Sequence, residues 1–503
     1  MTTTPTPPIA FASGTGPITS RLGGPLRSMS EATLGRLRGV CQIVDTDEGS
    51  RAESGRDWWP LALRWALRGQ VPAQPAAVAR PTDTAEVAAI MAICSEEQIP
   101  VTASAGRSGV CGGSVPVFGG LSLDLCGLTG LTAVDNEDLV IRVGAGTFGP
   151  DLESELNDSH GLTLGHWPQS MDLSTVGGWL ACRSAGQYST RYGKIEDMVR
   201  GLEVVLADGE VIRTGGHGPR SAMGPDLTQV FVGSEGTLGV ITGASLLVHP
   251  RPPAELRSAW GFSTFAEGLE ACRTIMRRGA TPAVLRLYDQ VETKRSFDVD
   301  GTCALIVLDE GDGDLVAATM GVVAEQCRGA HTLDVGLVEH WMGHRNDVSA
   351  LASLYQHGIV VDTIEVCAPW SKLAGLYGGV VEGLGTVEGL LACSAHQSHA
   401  YVDGACLYFT FAGRTSDPDD DDWAESFYRL CWSRVMAATM AAGGSISHHH
   451  GIGLVRSGYM SDALGSGFAV LGSIKQALDP KGILNPGKLG LDSSFGPQVW
   501  PAP

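Results

Sequence analysis

Three consecutive histidines, His448, His449 and His450, followed by Gly451, are the densest group of proton-transfer side chains in this 503-residue chain. Imidazole titrates near neutrality, so such a triple can hold a proton, move one, or ligate a metal. In an extended segment His448 and His450 would share one side and His449 would oppose them. Upstream lies His396-x-x-His399, which makes a metal site the sharper alternative, although the triple carries no acidic partner. Its internal position and the glycine after it exclude a purification tag. A second chemistry is written in four glycine- and hydroxyl-rich stretches: Ser104 to Gly113, Gly165 to Gly178, Arg183 to Gly186 with Tyr192-Gly193, and Gly233 to Thr242. Successive backbone N–H groups in such turns form anion nests suited to a pyrophosphate, and small residues let the backbone approach a flat ring. One such loop is ordinarily a turn; four within about 140 residues point to a nucleotide cofactor. Gly144-Ala-Gly146-Thr-Phe-Gly149 also fits a dinucleotide fingerprint, but no acidic residue follows at the required spacing and no βαβ unit surrounds it. Tyr408, by itself, is a core tyrosine on an alternating strand.

These residues need elements to hold them. The spacing predicts a helix over Thr82 to Glu97, opened by Asp83 and Glu86, with Val87, Ile90, Met91 and Cys94 on one face. Leu121, Leu123 and Leu125 alternate as a strand, Leu139 to Val143 reads as a buried strand, and Pro150 to Leu156 as a short helix. Leu202–Leu206 and Glu210–Arg213 flank Asp208-Gly209, a hairpin signal because glycine accepts positive φ. Ala405 to Phe411 alternates as a strand that puts Tyr408, Cys406 and Thr410 on one face. The charge run Asp419 to Asp422 reads as a solvated loop before a helix from Trp423 to about Ala442, closed by Gly443-Gly444. Met1 to Pro25, rich in Thr, Pro and Gly, reads as a loose arm.

Composition bounds the partners. A formal charge of −20 argues against nucleic acid and anionic membrane surfaces. No apolar run reaches the roughly 18 residues that a membrane helix needs, and no leader pattern opens the chain, which gives a cytoplasmic expectation. The twelve cysteines never form a C-x-x-C pair, so reduced and mostly buried thiols are expected. A small molecule is the expected partner, with a homodimer as a possibility the sequence leaves open.

Ser108-Gly-Val-Cys-Gly-Gly113, Ser174-Thr-Val-Gly-Gly-Trp179, Gly233 to Thr242 and Asp479-Pro-Lys-Gly-Ile-Leu-Asn-Pro-Gly487 resemble the FAD-binding domain of the vanillyl-alcohol-oxidase and p-cresol-methylhydroxylase superfamily. Within it, Gly165-His-Trp-Pro-Gln-Ser170, Gly218-Pro-Arg220, Gly224-Pro-Asp226 and Gly444 to Gly453 are similar to the alkyldihydroxyacetonephosphate synthases and their bacterial relatives, from about Arg56 to Gly490. The resemblance implies an α+β fold: an arm and helix over 1–55, a two-subdomain FAD-binding domain over 56–251, an α+β cap over 252–440, and a segment over 441–503 that returns to the active site. It implies a non-covalent FAD, because neither the histidine nor the cysteine used elsewhere for covalent attachment occurs at those positions.

The expected FAD contacts are Thr102, Ala103, Ser104, Ala105, Gly106, Arg107 and Ser108 in the first stretch, and Gln169, Ser170, Met171, Asp172, Leu173, Ser174 and Thr175 in the second. Cys182, Arg183, Ser184 and Ala185 supply the third set, and Glu235, Gly236, Thr237, Leu238, Gly239, Val240 and Ile241 the fourth. Arg107 stands where the family has glycine, either to neutralise pyrophosphate or to point to solvent. Tyr408 matches the family's acid–base tyrosine. A phenol starts near pKa 10 and works as a base only if cations lower that value, a task expected of His450 and His449, with His448 beside them. His166 matches a histidine beside the flavin ring, its alternative being a surface histidine, and Arg286 matches an arginine of the active-site scaffold. The family's phosphate-binding arginine falls on Leu351, so that role is either moved to Arg345, the nearest arginine, or absent. The implied reaction is redox-neutral exchange of the acyl group of an acyl-dihydroxyacetone phosphate for a fatty alcohol, a step in ether-lipid synthesis, with an apolar tunnel in the cap. The alternative on the same scaffold is oxidation of a 2-hydroxyacid or alcohol; related D-2-hydroxyacid dehydrogenases carry metal-binding His and Glu in this region.

Overall fold

The structure, a computed structural model, describes residues 18–22, 24, 26–216, 218–347, 354–355, 357–414, 417 and 420–500. Leu351 lies outside the described residues, as do most of the N-terminal arm and Asp419. What is described of the arm is docked, not loose: Thr19–Ser20 pairs in parallel with Gln70–Val71, and Arg21 meets Glu425 at 2.6 Å.

Three sheets carry the site. The first joins Val44–Asp45, Ala77–Ala79, Leu121–Asp124 and Val101–Ser104, the last three in parallel register. Leu121–Asp124 is buried at all four positions rather than alternating, as a parallel strand covered on both faces must be. Helix Thr84–Glu97 packs beside this sheet; Asp83 caps it by accepting from Glu86 N, and Val87, Ile90, Met91 and Cys94 are buried as their spacing predicts. The second sheet is antiparallel, in the order Val211–Gly215, Val199–Val205, Val240–Leu247, Val140–Gly144, Leu131–Asp135. The Asp208-Gly209 turn closes its hairpin, with Val205 opposite Val211. Val140–Gly144 is half-buried, not fully buried: Ile141 and Val143 face inward and Arg142 outward. The fingerprint glycines therefore leave an antiparallel strand for the helix Gly149–Glu155, and no Rossmann unit exists there.

The third sheet has seven antiparallel strands, ordered His331–Thr332, Ala254–Phe262, Cys303–Gly311, Val284–Tyr288, Leu390–Ala400, Gly404–Arg414, Ile359–Pro369. Helices Phe265–Arg277, Gly313–Gln326 and Trp370–Gly385 contact it. Helix Asp421–Ala441 begins inside the expected charge run: Asp420 caps it by accepting from Trp423 N, and Asp421 pairs with buried Arg64 at 2.7 Å. An acidic first turn opposes the positive end of the helix dipole, so the run is helix start and not loop.

The chain then returns to the first sheet. Asn485 N donates to Val101 O, and Val101 N donates to Ile483 O. Helix Gly467–Leu478 places Lys475 so that its ammonium donates to Thr237 O and Leu484 O, each at 2.8 Å, and pairs with buried Asp479. Removing one partner of a buried pair leaves the other charge uncompensated. Lys475→Met is expected to cost about 3–5 kcal/mol of unfolding free energy, read from denaturant melts; a loss below about 1 kcal/mol would make the pair a surface-type contact.

Candidate active site

Between the glycine loops and the third sheet lies a cavity of about 430 Å³. Its floor is Ala103 to Gly109, Gln169, Ser170, Leu173 to Thr175, Cys182, Ser184, Ala185, Glu235, Gly236 and Gly239 to Ile241. Of the expected FAD contacts, Thr102, Met171, Asp172, Arg183, Thr237 and Leu238 do not border it. Thr102, Met171, Thr237 and Leu238 are buried behind it, while Asp172 and Arg183 turn to solvent. Ala145, within the discounted fingerprint, and Trp58, ahead of the loops, do border it. Arg107 is only 9% exposed, with Glu53 at 3.9 Å and Asp124 at 4.0 Å, so the solvent-facing alternative is excluded.

The floor has the chemistry of a dinucleotide cradle. A Cβ built on Gly109, Gly113, Gly178 or Gly236 meets no atom closer than 3.4 Å, so these glycines front open space. The hydroxyls of Ser104 and Ser114, both bordering the cavity, are buried with no partner among the described residues. Orphaned donors beside an open backbone cradle fit a pyrophosphate and a flat ring.

The opposite wall comes from one face of the third sheet. His396 and Glu365 stand directly across from Tyr408 on its two neighbouring strands, making a row His396–Tyr408–Glu365 on one side. The Tyr408 ring stacks on His396 at 4.8 Å, and its hydroxyl donates to Thr363 Oγ1 at 2.9 Å. Arg286, on Val284–Tyr288, reaches His396 Nε2, whose Nδ1 lies 2.9 Å from the buried Glu292 carboxylate. A β-bulge between Ser398 and Ala400, with His399 at φ 50°, brings His399 to the same cavity as His396. Strict alternation would have put the two on opposite faces.

The histidine triple is not an extended run. Glu365, fully buried, bends it: the carboxylate accepts from Ser447 Oγ at 3.0 Å, His450 N at 2.8 Å and His448 N, and pairs with Arg456 at 3.0 Å. Arg456 is equally buried and also donates to Gly451 O at 2.7 Å. As a result His449 and His450 border the cavity, whereas His448 turns away to hydrogen-bond the Tyr401 hydroxyl at 2.8 Å. The expected sharing of one side by His448 and His450 is thereby corrected. Donor atoms of His399, His448 and His449 lie within 4.8 Å of one another, while His396 is engaged by Glu292 and Arg286. The His396-x-x-His399 pair is thus no ligand pair.

His166 is fully buried, not on the surface; it does not border the cavity but meets two residues that do, Ser184 Oγ at 3.2 Å and the Trp179 ring at 4.8 Å. Arg345 does not border the cavity. Its guanidinium sits among Trp167, Tyr188 and Trp341, 5.0–5.6 Å from the ring centroids, and donates to Gln187, which does border it.

Burial decides the proton inventory. It lowers His166 to about 3 and His396, His448 and His450 to about 4, and depresses His399 and His449 as well. The histidines are therefore neutral at pH 7 and cannot act as the cations expected to activate Tyr408. Burial also raises the Tyr408 phenol, partly offset by its bond to Thr363 and by Arg286. Tyr408 is a proton donor at neutral pH, with neutral imidazoles around it as acceptors. Glu292, Glu365 and Arg456 escaped the sequence reading. For Glu365 the available signal was a carboxylate inside the largely apolar run Ile359–Pro369, since a carboxylate in a buried strand requires a partner.

A glycine-lined dinucleotide floor roofed by titratable groups from an antiparallel sheet defines an FAD-linked oxidoreductase scaffold of the vanillyl-alcohol-oxidase type. The chain belongs to the FAD-linked oxidase family: residues 75–215 match the FAD binding domain, and residues 251–489 match the C-terminal domain of FAD linked oxidases. It is 32% identical over 434 residues, 82% of this chain and 89% of the relative, to the uncharacterized FAD-linked oxidoreductase YgcU of Escherichia coli K12. It is 28% identical to glycolate oxidase subunit GlcD of Bacillus subtilis, covering 90% of this chain and 95% of that one. A solved alkyldihydroxyacetonephosphate synthase superposes with TM-score 0.75 at 25% identity, covering 93% of this chain and 87% of the synthase. FAD is the cofactor. No helix among the described residues is long and apolar enough to cross a membrane. All twelve cysteines are free, and nine are buried.

The buried histidines give stability a pH dependence of fixed sign. Their folded pKa values lie below the unfolded value near 6.5, so between about 6.5 and 4 the unfolded chain binds more protons and stability falls as pH falls. Above 6.5 their contribution is fully present. Urea midpoints of the FAD-loaded protein should decline over that window, and His166→Asn should flatten the slope by about one proton. An unchanged slope in that variant would mean His166 is protonated when folded.

Proposed function

We propose that this protein is an FAD-dependent oxidoreductase that oxidises the hydroxyl-bearing carbon of a small anionic hydroxy acid. The observation that carries the reading is the wall facing the glycine loops. Among the described residues it presents Arg286, Thr363, His396, Ser398, His399, Tyr408, His449 and His450, with the carboxyls of Asp347 and Asp362 beside them, and Arg286 is its one arginine. FAD, when bound, supplies the hydride acceptor. Arg286 offers a permanent cation to a carboxylate. Neutral His450, whose Nδ1 has no hydrogen-bond partner among the described residues, accepts the hydroxyl proton with His449 beside it. Tyr408, held protonated by burial, donates a hydrogen bond to the substrate oxygen and so orients the carbon. In this reading Arg345 links cap to FAD domain and does not anchor substrate, and His166 supports the wall through Ser184.

The four glycine-rich stretches would hold FAD without a covalent bond. Cys182, the cavity's one thiol among the described residues, is pushed up by burial and so stays an un-ionised, poor nucleophile. Acid precipitation should leave a colourless pellet and release all flavin as FAD; a yellow pellet overturns this.

The second reading, alkyl-for-acyl exchange on an acyl-dihydroxyacetone phosphate, draws on the likeness to the synthase structure and on Tyr408 with the histidine triple. It requires a phosphate anchor, and the candidate Arg345 is enclosed by three aromatic rings. Dye reduction by a panel of 2-hydroxyacids, run beside an alkyl-exchange assay, separates the two: hydroxyacid turnover supports oxidation, and exchange without dye reduction overturns it. Under either chemistry Tyr408→Phe keeps the ring packed and should lower turnover by roughly 10²–10⁴, with FAD loading unchanged. Near-normal turnover would return Tyr408 to the core.

A further inference from the structure

A row of side chains behind the wall has no part in the proton chemistry above. Glu292, on helix Gln290–Phe297, is buried and reaches His396 Nδ1 at 2.9 Å. Its other oxygen accepts from Ser394 Oγ at 3.1 Å, and Arg295, half-exposed, approaches at 3.1 Å. The neighbouring cations and His396 hold the Glu292 carboxyl down at about 2, so it is a carboxylate at any working pH. A carboxylate can only accept, so His396 carries its proton on Nδ1 and presents the Nε2 lone pair. Arg286 Nη2 donates to that lone pair. The guanidinium also lies over the Tyr288 and Trp341 rings, at 5.5 and 5.7 Å, and its Nε–H is buried with no partner among the described residues. Arg286 borders the cavity; Glu292 does not. The Tyr408 ring stacks on one face of the His396 ring.

A guanidinium between two aromatic rings is free to rotate about its last torsions unless something fixes one edge. A neutral imidazole whose tautomer is locked from behind does this without cancelling the positive charge, as a directly bonded carboxylate would. We propose that His396, locked by Glu292, is a positioning residue that fixes Arg286 as the cavity's anchor for an anionic substrate group. The anchor rests on the hydroxy-acid reading for the identity of that group, a carboxylate; a phosphate would satisfy the same chemistry. The row sets affinity for the anion, while Tyr408 and His450 set the rate of proton movement.

The test uses the FAD-loaded protein and the flavin absorbance band as a binding signal. Oxalate is titrated as a non-oxidisable carboxylate, oxamide as its neutral counterpart, and dihydroxyacetone phosphate as the phosphate arm. Wild type should respond to oxalate and not to oxamide. His396→Leu should weaken oxalate binding at least tenfold with FAD loading unchanged. His396→Gln, whose side-chain oxygen can accept from Arg286, should recover to within about threefold of wild type. With a turned-over hydroxyacid, His396→Leu should raise KM far more than it lowers kcat. Oxalate affinity that is unchanged in His396→Leu, or not rescued by Gln, overturns the proposal, as does a wild type that responds equally to oxamide or to neither anion. If dihydroxyacetone phosphate binds through the same row and hydroxyacids do not reduce the flavin, the positioning role stands and the oxidation reading fails.

Discussion

The Glu365 carboxylate and the Arg456 guanidinium face each other with no exposure to solvent, 3.0 Å apart. Two charges taken out of water cost several kcal/mol each, and their attraction alone does not recover that. What makes the arrangement tenable is that both carboxylate oxygens and both terminal guanidinium nitrogens have partners nearby, with only Arg456 Nε lacking one among the described residues. Glu365 accepts from Ser447, His448 and His450, and Arg456 donates to Gly451 O and Glu365 O. The pair is a frame on which a loop with no regular structure of its own is bent to a single shape. It also ties the edge strand of the cap sheet, Ile359–Pro369, to the C-terminal segment, two parts of the chain about ninety residues apart.

A second clamp completes that closure from the FAD-binding side. Glu235, in its glycine loop, accepts from Ile452 N and Gly453 N, directly after the histidines, while its own carbonyl accepts from Asn485. The segment from Ser447 to Gly453 is thus gripped by one carboxylate from each domain, and its two cavity-facing imidazoles lie between them. Glycine is required at 451, where φ is 79° and a Cβ would fall 2.6 Å from Glu235 Oε1. The strand Ile359–Pro369 and the Glu235 loop are therefore registered to one another through backbone N–H groups, which leave the His449 and His450 rings at the cavity.

The same burial that makes this precise also sets the protonation states. At and around the cavity, His166, His396, His399, His448, His449 and His450 are pushed toward neutrality and the Tyr408 phenol toward protonation by loss of water. Arg286 is the one arginine of that wall among the described residues. Under the proposed reading, charge recognition falls to Arg286 on the sheet and proton transfer to His450 in the loop beside it.

Local patterns in the sequence determined much of the scaffold. The helix after Asp83, the Asp208-Gly209 hairpin, the strand carrying Tyr408 and the four glycine-rich stretches each depend on neighbours within a few residues, and each is where its pattern put it. The acidic run before Trp423 misread because a cap and a solvated loop have the same composition, and only the docked Arg64 distinguishes them. The family resemblance carried Tyr408, Arg286, His449 and His450 to the cavity, but not their electrical state. That state, the turn of His448 away from the cavity, the bulge that brings His399 to the cavity that His396 borders, and the pairing of Glu365 with Arg456 were decided only by the tertiary structure. A sequence lists ionisable groups but not the water each one loses, and the desolvation and partners that fix a charge are supplied by strands distant in the chain.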